Sequence, residues 1–163
     1  MRKLILLALV TLPLVLGAAA CGDKGASTAS SPAPPARKVD QAAKRTTTVK
    51  VIKTRYGRIL VDGSGRALYL FTRERSSTAR CYGACAAAWP VFYARGGVGG
   101  GADTDRKLIG TTRRRDGRRQ VTYRGHPLYY YVSDRRPGQV MCQNVAEYGG
   151  TWLVVAPSGN AIT

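Results

Sequence analysis

The apolar positions of this chain form two kinds of pattern, one near the start and one after Val49. Residues 4–16 are almost continuously apolar, which is typical of the core of a secretory signal. After Val49 the apolar residues come in short runs, rich in β-branched and aromatic side chains and divided by glycine-containing turns. Residues 22–46, between the two, contain almost no large apolar side chain. The pattern therefore predicts a signal, a linker and a β-rich domain.

The short apolar runs predict a mainly β fold for the domain. Turn sequences at 62–65 and 116–117 separate neighbouring runs and predict two hairpins. Residues 81–89 are rich in alanine and end at Pro90, which favours one short helix. The glycine run at 96–101 lacks the following Gly-Lys-Ser/Thr of a phosphate-binding loop, so we interpret it as a flexible loop. The predicted strands cover residues 49–54, 58–61, 67–72, 107–115, 118–124, 127–132 and 151–156.

The apolar stretch near the start has the flanks of an export signal. Arg2 and Lys3 precede it, and small residues at 18–20 lead to Cys21. The stretch is shorter than the roughly 20 residues that span a bilayer. Removal of residues 1–20 would leave Cys21 first in the mature chain, where a lipoprotein signal places the thiol that receives a diacylglyceryl group. We therefore expect a lipid anchor at the outer face of the cell membrane, with ordinary secretion as the alternative.

The stretch from Cys21 to residue 46 consists mainly of glycine, serine, threonine, alanine, proline and charged residues. Such a composition cannot bury enough apolar surface to fold, so we expect a disordered tether at 21–46. A flexible chain of that length has a root-mean-square reach of about 25–30 Å. The folded domain at 47–163 would then be held clear of the lipid heads.

The chain is strongly basic, with a formal charge of +17 that falls to +15 when residues 1–20 are removed with Arg2 and Lys3. Export removes the protein from cytoplasmic nucleic acid, so we expect no nucleic-acid partner. The densest charge lies at 113–119, around the second predicted hairpin turn. One interpretation is docking on anionic lipid or an acidic wall polymer. The other is a hairpin tip whose side chains are simply solvated.

The domain contains an internal repeat. Residues 68–74 and 128–134 both have the pattern Leu-Tyr-x-aromatic-x-x-acid, sixty positions apart, and each is followed by a tryptophan. The tyrosine and the second aromatic lie on one face of a strand, which favours a core role, and an acid just past the strand end is typical of a turn cap. We therefore predict two related β-rich repeats of about sixty residues. The shared residues are Tyr69, Phe71, Glu74 and Trp89 in the first copy and Tyr129, Tyr131, Asp134 and Trp152 in the second, whereas Pro90, next to Trp89, has no counterpart after Trp152.

These residues resemble a bacterial family known as the secreted repeat of unknown function, whose motif is Tyr-x-aromatic-x-x-Asp. Residues 129–134 match the motif, whereas the first copy has Glu74 in place of aspartate. Residues 81–86, followed by Trp-Pro at 89–90, resemble the family's Cys-x-Gly-x-Cys-Ala and Trp-Pro element. Residues 120–129 resemble its Gln-Val-Thr-Tyr-x-Gly-x-Pro-Leu-Tyr element.

The resemblance covers about residues 56–158, which is nearly all of the predicted domain. It implies export, a lipid anchor as in many members, and two repeats. It implies no activity, because none is established for the family in general.

The three remaining cysteines offer the clearest candidate chemistry. Cys81 and Cys85 are four apart, which on a helix places their Cα atoms about 6 Å apart on one face. An oxidising exported setting favours a disulfide between them. Alternatively, a reduced pair would serve thiol redox chemistry or bind Cu(I), with His126 and Met141 as third ligands by residue type. Cys142 is left over, and we expect it to be buried, with pairing to Cys81 or Cys85 as the alternative.

Familiar catalytic constellations are missing from the sequence. His126 is the single histidine and precedes Pro-Leu-Tyr in a turn, where a structural role is typical. No Gly-x-Ser-x-Gly pattern occurs, and the few acids of the domain lie mostly in turns. We therefore expect a non-enzymatic envelope module that binds a partner or has a structural role and needs no cofactor. A small thiol-redox or Cu(I)-handling protein is the alternative.

Overall fold

The computed structural model describes residues 46–163. The predicted signal at 1–20, the lipid site Cys21 and all of the predicted tether except Thr46 lie outside the described residues. Within the described range, no helix has the length and apolar character needed to cross a membrane.

Short strands dominate the described residues, with one α-helix (α1) and one 3-10 helix at Arg106–Leu108. The elements are β1 Thr47–Thr54, β2 Gly57–Asp62, β3 Tyr69–Phe71, α1 Ala84–Ala88, β4 Val98–Gly100, β5 Ile109–Arg113, β6 Arg119–Tyr123, β7 His126–Pro127, β8 Val145–Glu147 and β9 Gly150–Val154.

The strands form three small sheets, with the orders β2-β1-β4, β3-β9-β8 and β5-β6-β7. All neighbouring strands are antiparallel except β1 and β4, which are parallel. The mainly β fold predicted from the sequence is therefore confirmed, and so is the hairpin around residues 116–117. The short helix near 81–89 is also confirmed, but it begins only after Gly83, whose φ of +57° is not helical.

Two strands, β4 and β8, were not predicted from the sequence. The glycine run at 96–101 was expected to be a flexible loop, and this is wrong for β4. The start of β1 pairs with β4, and flanking bonds join Thr47 N to Gly97 O and Gly101 N to Val49 O, each at 2.8 Å. The second missed strand, β8, pairs with β9 across a turn at residues 148–149.

The two repeats exchange strands. In the first repeat, β3 pairs with β9 so that Tyr69 lies opposite Val154, two residues after Trp152. In the second, Tyr129 bridges to Val91, two residues after Trp89. The two aromatic strands also meet each other, because Tyr69 and Tyr129 exchange N–H to C=O hydrogen bonds of 2.9 and 3.0 Å. The aromatic strand of each repeat is therefore paired with the tryptophan segment of the other.

The core lies on both sides of these central strands. In β3, Tyr69 and Phe71 belong to one buried cluster and the intervening Leu70 to another. In β2, Ile59 and Val61 face the first cluster, while Leu60 faces the second. Strands buried on both faces carry nearly continuous apolar runs, which explains why these segments lack a clear apolar–polar alternation.

Candidate functional site

The repeated tyrosines and acids meet at the centre of the domain. The tyrosine of each repeat forms a hydrogen bond with the acid of the other repeat. The Tyr69 hydroxyl donates to Oδ2 of Asp134 at 2.6 Å. The Tyr129 hydroxyl donates to Oε1 of Glu74 at 2.7 Å. All four side chains are buried. The motif therefore joins the two repeats through a reciprocal pair of hydrogen bonds.

Each acid also holds the loop that follows it. Oε1 of Glu74 accepts hydrogen bonds from Arg80 N at 2.6 Å and Cys81 N at 3.3 Å. Oδ1 of Asp134 accepts one from Met141 N at 2.9 Å. In both repeats the last bond reaches seven residues beyond the acid. The carboxylates thus organise loops in the manner expected of turn-capping acids, but from buried positions.

Burial dominates the protonation behaviour of this centre. It raises the pKa of the Glu74 and Asp134 carboxyl groups, although hydrogen bonds from backbone N–H groups and tyrosines oppose the rise. It also raises the pKa of the Tyr69 and Tyr129 hydroxyls, and the adjacent carboxylates act in the same direction. The tyrosines therefore remain protonated hydrogen-bond donors at neutral pH.

Four aromatic rings pack in a row beside the tyrosine–acid bonds. Trp89 and Trp152 stack at the centre, with ring centroids 4.1 Å apart and planes 2° apart. Phe71 stacks on Trp152 at 4.2 Å, and Tyr131 lies against Trp89 at 4.8 Å. Along the row, rings from the first and second repeats alternate, in the order Phe71, Trp152, Trp89 and Tyr131. The repeated aromatics thus form the core contact between the repeats.

Arg114 is a structural residue that the sequence did not single out within the arginine cluster. It is only 5% exposed. Its guanidinium donates to Oε1 of Gln120 at 2.6 Å and to the Cys81 carbonyl at 2.5 Å. It also lies 4.2 Å from the ring centroid of Tyr82. A buried arginine with such partners anchors the β5–β6 hairpin to the loop that carries the disulfide.

The other arginines of this hairpin face solvent. Arg113, Arg115, Arg118 and Arg119 are exposed around the turn at residues 116–117. We call these four residues the arginine tip. Two of them rest on aromatic rings: Arg115 lies 4.8 Å from the Tyr82 ring centroid, and Arg118 lies 3.4 Å from that of Tyr93.

The cysteines are arranged as a bonded pair and one free thiol. Cys81 and Cys85 form a disulfide with Cα atoms 5.3 Å apart, and both are buried. Because α1 starts after Gly83, the bond ties the preceding loop to the first turn of α1 and does not lie on one helix face as expected. Cys142 is free and half-buried, so neither full burial nor pairing with Cys81 or Cys85 is observed.

The structure does not bring the candidate metal ligands into one site. Met141 is 60% exposed and lines a cavity beside Arg55. His126 lines a different cavity, together with Glu74. Among residues 46–163, no three His, Cys, Asp or Glu side chains are grouped in a way that would hold a metal ion.

Comparison with known proteins agrees with this two-part architecture. A family model described as "secreted repeat of unknown function" matches residues 50–93 and again residues 110–156. Each match contains one tyrosine–acid motif, and the description of the family as secreted supports export of this protein. No curated protein and no solved structure matches the chain. With two copies that together cover more than half of its length, the chain belongs to the family of secreted repeats of unknown function.

Proposed function

We propose that this protein is a lipid-anchored, non-enzymatic module of the cell envelope that binds polyanions through the arginine tip. The observation that carries the proposal is the concentration of four exposed arginines on one β-hairpin. Buried Arg114 anchors that hairpin to the loop that carries the disulfide, so the four exposed arginines project from an anchored turn.

The conspicuous polar residues of the family motif support a non-enzymatic role. Glu74 and Asp134 each bond to a tyrosine and to the backbone of a loop. Their carboxylates are therefore engaged in holding the two repeats together. Residues 46–163 contain nineteen Lys and Arg against seven Asp and Glu, and only Arg114, Glu74 and Asp134 among these are buried. The charge at the surface is therefore mainly positive.

Polyanion binding is tested by comparing two variants of equal charge. In the first, the four residues of the arginine tip become glutamine. In the second, four exposed arginines elsewhere, Arg75, Arg80, Arg135 and Arg136, become glutamine. Both are made in the Cys21→Ser chain, so that no lipid contributes to binding. The probes are phosphatidylglycerol vesicles and a soluble poly(glycerol phosphate).

Because each basic residue near an anionic surface contributes about 1 kcal/mol, loss of the arginine tip should weaken binding roughly a hundredfold or more. The control variant should retain most of the affinity, and added salt should weaken the wild type more than the arginine-tip variant. A preference for vesicles would identify lipid heads as the partner, and a preference for the soluble polymer would identify a wall polymer. Equal losses in the two variants would show that only net charge matters and would contradict the proposal.

The lipid anchor is tested independently. Cys21→Ser should release the protein into the medium and abolish labelling with a radioactive fatty acid, because the acceptor thiol is gone. Replacement of Cys142 by Ser is the matched control and should leave both labelling and membrane retention unchanged. Retention of the Cys21→Ser protein in the membrane fraction would show that another feature holds it there.

A further inference from the structure

A polar cavity of about 420 Å³ opens next to the arginine tip. It lies between the first residues of β1, the turn after β2 and the segment that follows Trp89. Its size falls within the range of about 300–1,000 Å³ that is typical of small-ligand sites. Its walls include the hydroxyl-bearing residues Thr48 and Ser64.

Two arginines line this cavity and are positioned differently. Arg66 is fixed, because it donates to the carbonyls of Tyr131 and Asp134 at 2.8 Å each and lies 4.3 Å from the Tyr130 ring centroid. Arg95 is exposed, but Thr47 holds its backbone through a 2.7 Å bond from Arg95 N to the threonine hydroxyl. The cavity thus combines one immobile guanidinium with one that faces solvent.

Among the residues that the structure describes, Asp62 is the one carboxylate that lines the cavity, and its oxygens are already hydrogen-bonded. Oδ1 of Asp62 accepts hydrogen bonds from Ser64 N at 2.8 Å, the Ser64 hydroxyl at 2.6 Å and Arg66 N at 3.0 Å. Its Oδ2 accepts the Tyr130 hydroxyl at 2.9 Å. Burial alone would raise the pKa of this carboxyl, but the four donors from the cavity's own walls outweigh burial and hold the pKa below its ordinary value. Asp62 is therefore an ionised acceptor whose two oxygens are already hydrogen-bonded before any ligand arrives.

Tyr93 connects the cavity with the arginine tip. Its ring lines the cavity, and Arg118 of the tip lies on that ring. The Tyr93 hydroxyl donates to Asp116 of the hairpin turn at 3.3 Å. A chain with regularly spaced negative charges could therefore leave the cavity over Tyr93 and continue along the tip.

We propose that this cavity binds one phosphodiester-linked polyol unit of an anionic envelope polymer, with the phosphate on Arg95 and the polyol hydroxyls on Thr48 and Ser64. The proposal rests on the proposed function and names the ligand of the same surface. A guanidinium matches the geometry of a phosphate through two parallel hydrogen bonds. The hydroxyl groups in the wall can form hydrogen bonds with a polyol. A flat layer of lipid heads contacts only exposed side chains and does not enter a polar cavity.

The test titrates a short oligomer of poly(glycerol phosphate) into the full-length Cys21→Ser protein by calorimetry, with inorganic polyphosphate as the second probe. Arg95→Gln should weaken oligomer binding at least about tenfold, as expected for loss of a charged hydrogen-bond donor. Arg75→Gln removes the same charge from an exposed site outside the cavity and should change the affinity less than about twofold.

Thr48→Val tests the role of the cavity hydroxyl without changing the charge of the protein. It keeps the side-chain shape and removes the hydroxyl, so it should weaken binding of the oligomer several-fold and leave polyphosphate binding unchanged. Equal effects of Arg95→Gln and Arg75→Gln would overturn the proposal. Equal effects of Thr48→Val on the two probes would also overturn it. Thermal unfolding of each variant checks that the fold is intact.

The two proposals fail in different ways. If neutralising the arginine tip abolishes binding while Arg95→Gln has no effect, the protein binds polyanions and the cavity has no part in it. If the variant without the arginine tip binds the vesicles and the soluble poly(glycerol phosphate) like the wild type, the proposal that the tip binds polyanions is wrong. That conclusion holds whatever the effect of Arg95→Gln.

Discussion

The two repeats share a central framework and differ at its edges. Both provide a tyrosine that bonds to the acid of the other repeat, and both add a tryptophan to the central stack. The acids differ in detail. Asp134 receives one donor on each oxygen, whereas Glu74 receives three donors on Oε1 and its buried Oε2 has no hydrogen-bond partner among the described residues.

A second difference concerns the side chains at positions 66 and 126, which are equivalent in the two repeats and lie outside the shared framework. Arg66 lies over Tyr130 beside the polar cavity, whereas its counterpart His126 and Leu70 line another cavity of about 430 Å³. The framework is held in common because each repeat completes the other, so a change in one must suit both. Outside this framework the repeats differ, because Arg66 and His126 occupy equivalent positions and line two different cavities.

The largest expected effect comes from the tryptophan stack. Trp89→Ala and Trp152→Ala should each reduce the free energy of unfolding by about 3–5 kcal/mol, because each removes the central ring contact and leaves a cavity. Chemical denaturation measures the loss. Replacement by phenylalanine distinguishes the two tryptophans by their hydrogen bonds. The Nε1–H of Trp89 donates to Oε2 of Glu147 at 3.0 Å, whereas Nε1 of Trp152 has no hydrogen-bond partner within residues 46–163. Trp89→Phe should therefore cost more, and the opposite order would contradict the comparison.

The tyrosine–acid bonds should differ in strength. Tyr69→Phe leaves Oδ2 of Asp134 without its donor in a buried site, which should cost about 2–3 kcal/mol. Tyr129→Phe leaves Glu74 with two backbone donors, so it should cost only about 1 kcal/mol. The measurement is again the free energy of unfolding from urea titration. Equal losses would show that the spare donors on Glu74 do not compensate.

The disulfide is a feature of the first repeat alone. Cys81→Ser combined with Cys85→Ser should reduce stability by about 2 kcal/mol, as expected from the small closed loop. Cys142→Ser, in the second repeat, should change stability by less than about 1 kcal/mol because Cys142 forms no disulfide and is only half-buried. Unfolding curves under non-reducing conditions test both variants. Stoichiometric Cu(I) binding by the reduced protein, lost in Cys85→Ser, would instead favour a copper-handling role.

The smallest effect concerns pH. The folded protein raises the pKa of Glu74 above its ordinary 4.5, so folding favours the protonated acid. This contribution is most favourable below about pH 4.5 and is lost as the pH rises through the raised folded value. Glu74→Gln removes it, so the variant should gain stability relative to the wild type as the pH rises from about 4 to 7. Unfolding free energies at several pH values measure the change, and a constant difference would contradict it.

Much of the fold and part of the site were predictable from local sequence. The hairpin at 116–117 has turn residues between β-favouring runs, and the alanine-rich segment contains α1. The repeated Tyr-x-aromatic-x-x-acid pattern identified the residues that meet at the centre. Local sequence contains no signal for β4, whose glycine-rich run becomes a strand only through pairing with β1.

The same limit applies to individual side chains. Arg114 stands among other arginines, and nothing local distinguishes it from its exposed neighbours. Its burial depends on the Cys81 carbonyl and on Gln120, which the fold brings to it. The polar cavity likewise combines segments around residues 48, 64 and 95, which become neighbours only when the chain folds.

The sequence by itself determined the β-rich class, the presence of two related repeats and the residues that they share, because these depend on periodicity, turn chemistry and internal identity. Tertiary structure decided how the repeats combine. Strand pairing and side-chain bonding between distant segments place Tyr69 against Asp134 and Tyr129 against Glu74. A repeat read in isolation has an acid and a tyrosine with no visible reason to coexist. The other repeat supplies the reason, because buried polar groups need partners and the acid that accepts each tyrosine hydroxyl lies in the other repeat.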